Sequence, residues 1–176
     1  MNSLIISAVG SDRSGIVSEI SGIITNHGGN VEESRMSKMG SDFAIIMLVS
    51  VPLDWEESLE LSIQSIKNLT IITKHTAIQE PGDFQKYQID LNGADNEGIV
   101  QVLSKYLAEK SINIIEMNTY ISYAPVSGTP LFNLKSVISI PDNLNISDIQ
   151  TDVQQISQIL GIEIVVHKSE SILEIV

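Results

Sequence analysis

The sequence predicts an α+β protein made of two tandem βαββαβ units, each an antiparallel sheet with both helices on one face. Two observations carry this prediction. The string GSDRSGIV at residues 10–17 returns as GADNEGIV at residues 93–100. Strand-type and helix-type hydrophobic periods also alternate in the same order in both halves of the chain. With 176 residues, the chain is long enough for two small domains with separate cores.

The second copy follows the first at a nearly constant offset. An offset of 83 residues relates Gly15 to Gly98, and farther along an offset of 89 relates Pro52 to Pro141. The second copy has therefore gained six residues, which we place in YAPVSGTP because Pro, Ser and Gly mark a loop. We predict a first domain at 1–79, a linker with turn-type residues at 80–84, and a second domain at 85–176.

The order of elements within each copy follows from the spacing of the apolar residues. The first copy is predicted as a strand at 4–9, a helix from Ile16 to the glycines at 28–29, a hairpin at 30–51, a helix at 55–66 and a strand at 71–78. The second copy is predicted as a strand at 87–91, a helix from Ile99, a hairpin at 112–140, a helix at 149–160 and a strand at 162–167. This order is typical of a ferredoxin-like unit.

The composition narrows the class of protein. The formal net charge is −12, which repels nucleic-acid backbones and anionic lipids. There is no cysteine, and the N-terminal apolar run is too short and too interrupted for a secretory signal. We therefore expect a cytoplasmic protein that binds neither nucleic acid nor membrane directly.

The repeated glycine loop has two physical interpretations. Asp12 and Asp95 are placed to act as helix N-caps, and Gly15 and Gly98 would then be the third helical residues. Ordinary helical dihedrals do not require glycine there, so we expect a close approach to the backbone. Either a neighbouring strand or a small ligand that binds the exposed N–H groups would explain it, and the two stay open on these grounds.

The chemistry of the loop favours one kind of small ligand. Neither copy has the Walker spacing or its lysine, and each carries a carboxylate that would repel a phosphate. A zwitterion suits the loop better, since helix N–H groups donate hydrogen bonds to its carboxylate and an Asp accepts them from its ammonium group. An amino acid is such a ligand.

The pattern G-x-D-x-x-G-I-V at the first strand-to-helix turn of a βαββαβ unit resembles the ACT domain, over nearly all of both copies. The further strings NVEESR and GSDFAIIML, at 30–35 and 40–48, are similar to those of tandem ACT-domain repressors of the glycine cleavage system. The resemblance implies a regulator that senses an amino acid, glycine first, and restrains a DNA-binding transcriptional activator by contact. It implies no cofactor and a possible homodimer.

The resemblance also implies where a ligand would bind, between the glycine loop of one unit and the start of the second strand of a partner unit. Family loops often have proline where this chain has Ser14, and the second loop replaces Arg13-Ser14 with Asn96-Glu97, so two working sites would differ electrostatically. The implied ligand-binding residues are Ser11, Asp12, Arg13, Ser14, Gly15 and Ile16 with Asn30 and Val31, and Asp95, Asn96, Glu97, Gly98 and Ile99 with Asn113 and Ile114.

Other functions are weighed against this one. The alternative is an ACT-type interaction module, or a regulatory subunit of an amino-acid-metabolism enzyme, with no ligand site of its own. His75 and His167 stand at matching places in the two final strands, and we expect strand-edge or interface roles for them in preference to metal ligation. No Ser/His/Asp order or dinucleotide fingerprint is present, so we predict no enzymatic activity, no catalytic residues and no metal.

Overall fold

The computed structural model describes residues 1–77 and 84–169. The chain divides into two compact units, Met1–Glu80 and Pro81–Val176. Apart from Phe84, the predicted linker at 80–84 lies outside the described residues. No helix in the described ranges is both long enough and apolar enough to cross a membrane.

Each unit is a four-stranded antiparallel sheet with two helices, so the predicted fold class is confirmed. The sheet orders are β2-β3-β1-β4 and β6-β7-β5-β8, which is the same topology twice. The first unit contains β1 (Asn2–Ser11), α1 (Ile16–Asn26), β2 (Asn30–Met39), β3 (Asp42–Val51), a 3-10 turn (Leu53–Trp55), α2 (Glu56–Gln64) and β4 (Leu69–Thr76). The second contains β5 (Gln85–Ala94), α3 (Ile99–Glu109), β6 (Asn113–Tyr123), β7 (Pro130–Ile140), α4 (Ile146–Leu160) and β8 (Ile162–Lys168).

The core of each unit lies between one face of the sheet and its helices. Every second residue of a strand points to the same face, and Leu4, Ile6 and Ala8 of β1 are buried in this way. Helix α1 covers them with Ile20 and Ile24, which are four residues apart and share one side of the helix. Full burial of each such large side chain stabilises the fold by about 1.5–3 kcal/mol.

The two units also share an irregularity. The register of β2 against β3 shifts between Val31 and Glu33, and that of β6 against β7 shifts between Ile114 and Glu116. Each shift is a β-bulge, at the same position of the repeat. The six additional residues of the second copy lengthen the hairpin that joins β6 to β7, whose loop spans 124–129, as predicted.

Two glycines allow the first and last strands of each unit to approach each other closely. A Cβ atom on Gly10 would lie 2.1 Å from the carbonyl oxygen of Asn68, and one on Gly93 would lie 2.4 Å from Cγ2 of Ile162. Both glycines stand where the first strand of the unit passes the start of the last strand. The first glycine of the repeated motif is therefore the one that a close approach requires.

Candidate functional site

Helices α1 and α3 each begin at a glycine in a left-handed conformation. Gly15 has a φ of +88° and Gly98 a φ of +84°, and each is the N-cap residue of its helix. Their carbonyl oxygens accept the first helical hydrogen bonds, from the N–H of Glu19 and of Val102, both at 2.9 Å. The predictions that Asp12 and Asp95 are the N-caps, and that the glycines are third helical residues with ordinary dihedrals, are wrong.

Backbone conformation explains these two glycines. No heavy atom lies within 4 Å of a Cβ built on Gly15 or Gly98, so no neighbouring strand accounts for them. The positive φ does, because residues with a Cβ adopt that region at a cost of roughly 1–2 kcal/mol. This conformation turns the chain from the strand into the helix. It places the side chains of Ile16 and Ile99 in the core, where each is 2% exposed.

The first turns of α1 and α3 have no side-chain cap. Neither N-cap glycine has a side chain that could accept a hydrogen bond. Helix α4 differs, because the side chain of Asn145 accepts from the N–H of Ser147 at 3.0 Å. The loops before α1 and α3 are exposed, so their first-turn N–H groups lie at the positive end of a helix dipole without a protein side chain bound to them.

The contrast between capped and uncapped helices gives a stability prediction. Asn145→Ala is expected to lower the free energy of unfolding by about 0.5–2 kcal/mol, because it removes the acceptor of the cap. The matched control is Ser14→Ala at the start of α1, whose side chain makes no hydrogen bond among the described residues and whose loss should change stability by less than about 0.5 kcal/mol. Urea unfolding followed by circular dichroism measures both. Equal losses would contradict the prediction.

The charges of the first loop are paired within the unit. The Asp12 carboxylate lies 2.8 Å from Nζ of Lys38 at the end of β2, and its backbone N–H donates to the Ser41 carbonyl at 3.0 Å. Hydrogen bonding to Asp12 and its negative charge raise the pKa of the Lys38 ammonium. Arg13 forms an ion pair with Glu19 of α1. The loop thus presents little uncompensated charge to a ligand.

The second loop keeps the backbone and loses these partners. By the strand register, Ile121 occupies the position of Lys38. Along the helix, Val102 occupies that of Glu19. Among the described residues, neither Asp95 nor Glu97 has an ion pair or a side-chain hydrogen bond. Two carboxylates therefore stand beside the uncapped N–H groups of α3. This arrangement has acceptors for an ammonium group and donors for a carboxylate.

The second-strand residues of the predicted site lie elsewhere in the unit. Asn30 pairs with Ser50, which pairs with Ser3 at the start of β1, whereas the loop follows Ser11 at its end. Eight strand residues separate the two places by about 25 Å. Asn113 of β6 stands likewise against Ser139, at the opposite end of the sheet from residues 95–99. A unit therefore does not bring its own loop together with the start of its second strand.

Val31 and Ile114, which the resemblance places in the site, have a structural role. Both side chains are half-buried and pack against the core of their own unit. Asn30 donates from Nδ2 to Glu32 at 3.2 Å, and Glu32 also accepts from Ser50 at 2.6 Å. Contact of these residues with the loop of another unit stays a prediction.

Sequence reasoning missed the partners that distinguish the two loops. Lys38, Ser41 and Glu19 belong to the surroundings of Asp12 and Arg13, yet two of them stand in the hairpin, more than twenty residues away along the chain. The usable signal was topological, because β3 pairs with β1 and so brings the hairpin turn beside the glycine loop. Comparing position 38 with position 121 in the repeat would then have shown the loss of the lysine.

The two strand histidines do not occupy matching positions. His75 pairs in register with Leu4 of β1, whereas His167 pairs with Gln88, one position farther along the repeat. Their side chains therefore lie on opposite faces of their sheets. His75 contacts Glu56 at 2.9 Å, and His167 contacts Asp90 at 2.7 Å. Within residues 1–77 and 84–169, no three His, Asp or Glu side chains cluster as a metal site would require.

The family model of the ACT domain matches residues 2–74. The second unit repeats the topology, the bulge and the left-handed glycine of the first. The first unit thus matches the ACT domain, and the second unit has the same fold.

Among curated relatives, the glycine cleavage system transcriptional repressor of Escherichia coli K12 is 28% identical over 120 residues, 65% of this chain and 62% of the repressor. The protein of the same name from Shigella flexneri gives the same figures. Less than two thirds of the length of these relatives is thus matched. The crystal structure of an unknown protein from Galdieria sulphuraria superposes with a TM-score of 0.84 and 32% identity, over 96% of this chain and 98% of that one.

A further crystal structure, provisionally assigned as a glycine cleavage system transcriptional repressor, has a TM-score of 0.69 at 20% identity. It covers 96% of this chain and 98% of its own. At that level of identity the likeness shows the tandem fold and nothing finer.

Proposed function

We propose that this protein senses an amino acid, glycine first, and controls transcription of glycine cleavage genes by binding a DNA-binding activator and not DNA itself. The observation that carries the proposal is the second glycine loop. There the uncapped N–H groups of α3 stand beside Asp95 and Glu97, which have no counter-ion among the described residues. The names of the curated relatives and the net charge of −12 support the regulatory and DNA-independent parts.

In the proposed complex, the first-turn N–H groups of α3 donate to the carboxylate of the amino acid, and Asp95 and Glu97 accept from its ammonium group. Both contacts are charge-assisted, which makes them stronger than hydrogen bonds between neutral groups. The glycine loop supplies only one wall of such a site. We propose that Asn30-Val31 or Asn113-Ile114 of a partner unit supplies the other wall.

The first loop has the weaker claim to an ammonium group. Lys38 already occupies the carboxylate of Asp12, and Arg13 is paired with Glu19. Its N–H groups are nevertheless as uncapped as those of the second loop. We therefore assign the discriminating contacts to residues 95–98 and a supporting role to residues 11–16.

Calorimetric titration of the full chain with glycine tests the sensor. Saturable heat and a raised thermal midpoint are expected, because a ligand that binds only the folded state stabilises it. Glycinamide lacks the carboxylate and N-acetylglycine lacks the ammonium group, and each should fail to bind. No heat and no change in the thermal midpoint with any of the twenty amino acids would contradict the sensor proposal. That result would favour an interaction module without a ligand site.

A second experiment tests the partner. Tagged full-length protein is used to recover interacting proteins with and without glycine, and the recovered protein is expected to carry a DNA-binding domain. An electrophoretic mobility assay of the chain alone should show no shift of DNA at 0.15 M salt. Recovery of a catalytic subunit would instead support the regulatory-subunit alternative.

A further inference from the structure

The two sheets can be compared position by position on the face that the helices leave open. This open face consists of alternate strand residues, opposite the buried ones. In the first unit, three rows of paired residues cross the sheet: Glu33, Leu48, Ile5 and Lys74; Arg35, Ile46, Ser7 and Ile72; and Ser37, Ala44, Val9 and Thr70. The equivalent rows of the second unit are Glu116, Val137, Gln88 and His167; Asn118, Lys135, Asp90 and Val165; and Tyr120, Asn133, Asn92 and Glu163.

The open face of the second unit is polar and forms its own hydrogen bonds. Asp90 accepts from Nε2 of Gln88 at 2.9 Å and contacts His167 at 2.7 Å. Asn92 donates to Oδ1 of Asn133 at 2.6 Å. An antiparallel sheet with one solvated face alternates apolar and polar residues in this way, so the fold does not require an apolar open face.

The open face of the first unit carries an apolar strip along its central strands. The strip is formed by Leu48, Ile46 and Ala44 of β3, Ile5 and Val9 of β1, and Ile72 of β4. Val9, Ile46 and Ile72 are 50%, 46% and 65% exposed. Contiguous apolar surface of this kind marks an interaction site.

The apolar strip has the dimensions of one α-helix. Its three rows lie two residues apart along the strands, which gives a length of about 20 Å with the side chains, equal to about 13 residues of helix. The edge strands β2 and β4 lie about 14 Å apart, and a helix is about 10–12 Å wide. Helix α1 already covers the opposite face of the same sheet through Ile20 and Ile24. A helix on the strip would therefore repeat a packing that this sheet uses.

The area and the charges of this face argue against a second copy of this chain as its occupant. The strip offers roughly 300 Å², whereas a stable interface between folded proteins takes about 800 Å² from each partner. Two chains of net charge −12 also repel each other. Glu33, the acid of the first row, is already paired with Arg35 at 2.9 Å, so it offers no free partner to a base on another copy.

Lys74 gives the face a selective charge. It lies at the β4 end of the first row, beside Ile5, and has no ion pair among the described residues. At the equivalent place of the second unit, His167 contacts Asp90. A helix lying along the strip would bring one of its flanks next to the Lys74 ammonium group, where an acidic residue forms a charge-assisted hydrogen bond.

We propose that the open face of the first unit binds an amphipathic helix of another protein. The apolar side of that helix covers the strip between β2 and β4, and an acidic residue on one flank of the helix pairs with Lys74. That the transcriptional activator carries this helix rests on the proposed function. The surface itself does not involve amino-acid binding.

Fluorescence anisotropy with a labelled model peptide tests this surface. The probe is a helix-forming peptide of about 15 residues, with leucines at i, i+3, i+4 and i+7 spacing, glutamates along one flank and glutamines elsewhere. The full wild-type chain, titrated to about 500 µM without glycine, should bind it. A scrambled peptide of the same composition has no apolar side and should not bind.

Two variants locate the binding surface. Ile72→Asp is expected to weaken binding of the probe at least tenfold, because it places a carboxylate within the apolar strip. Val165→Asp is the matched control, since it makes the same change at the equivalent position of the second unit and should have no effect. The two side chains are 65% and 46% exposed, so both variants should fold, which circular dichroism checks.

Exchanging the charged flank of the peptide tests the contact with Lys74. A second peptide carries lysines in place of the glutamates. Lys74→Glu should shift the ratio of the two affinities at least tenfold toward the lysine peptide. Lys135→Glu makes the same charge change on the open face of the second unit and should shift that ratio far less.

Several results would overturn the proposal. They are no binding of the glutamate peptide by the wild-type chain, equal weakening by Ile72→Asp and Val165→Asp, and equal shifts by Lys74→Glu and Lys135→Glu. Dimerisation of the chain in sedimentation equilibrium that Ile72→Asp abolishes would show that a second copy occupies the face instead. None of these measurements uses glycine, so failure of this surface and failure of the sensor are distinguishable.

Discussion

Gly10→Ala is expected to destabilise the first unit by at least about 3 kcal/mol, one of the largest single-residue effects in this chain. The new methyl group would lie 2.1 Å from the carbonyl oxygen of Asn68, and a backbone atom can move aside only if β4 shifts against β1. Gly93→Ala should behave similarly in the second unit, where Ile162 lies 2.4 Å away. Chemical unfolding followed by circular dichroism, with fluorescence of Trp55 for the first unit, measures the loss.

Two other glycines of the first unit serve as controls. Gly22 lies inside α1 with no atom within 4 Å of a Cβ, so Gly22→Ala should stabilise the helix by about 0.5–1 kcal/mol. Gly15→Ala meets no atom but must hold a positive φ, and it should cost roughly 1–2 kcal/mol. The predicted order of stability is Gly22→Ala, wild type, Gly15→Ala, Gly10→Ala. A Gly10→Ala variant as stable as Gly15→Ala would contradict this order. It would show that β4 can shift away from residue 10 at little cost in stability.

The double variant Asp95→Asn with Glu97→Gln is expected to weaken amino-acid binding at least tenfold while leaving the fold intact. Both side chains are exposed and unpaired among the described residues, so their neutralisation removes acceptors for the ammonium group and disturbs no contact. Calorimetric titration with glycine gives the affinity, and thermal unfolding without ligand gives the stability. Unchanged affinity in a folded double variant would remove the second loop from the site.

The first loop supplies the matched controls for that experiment. Asp12→Asn should leave glycine binding nearly unchanged, because Lys38 already occupies that carboxylate. Lys38→Ile reproduces the environment of the second loop, where Ile121 stands at the same position, and should strengthen binding at the first loop if a free carboxylate is what the ligand needs. Both results separate the effect of charge from that of the backbone, which is the same in the two loops.

Hydrophobic periodicity was sufficient to predict the fold. The spacing of Ile16, Ile20 and Ile24 specifies a helix side, and the recurrence of the same pattern 83 residues later specifies a second unit. Each element must bury its apolar side against the other elements of its unit. The βαββαβ order therefore predicts an antiparallel sheet with both helices on one face. The loop that gained residues was also predictable, since Pro and Gly are unfavourable inside helices and strands and therefore mark loops.

The glycine loop was harder to predict, because sequence identifies a residue and not its dihedral angles. A glycine at position 15 fits either a close approach by a neighbouring group or a positive φ. Which of the two applies depends on the exact residue at which the helix begins. Asp12 was assigned to the helix when its carboxylate in fact binds Lys38. The pairing of Asp12 with Lys38 joins elements far apart in the chain, so only the sheet register reveals it.

The β-bulge in the second strand of each unit bears on ancestry. Core packing does not demand an unpaired residue at one position of an edge strand, yet the shift falls between Val31 and Glu33 in one copy and between Ile114 and Glu116 in the other. Its presence twice at the same place makes it an inheritance from the single unit that was duplicated. The ion pairs of the first loop occur in one copy only, so the surroundings of the two loops have diverged since the duplication.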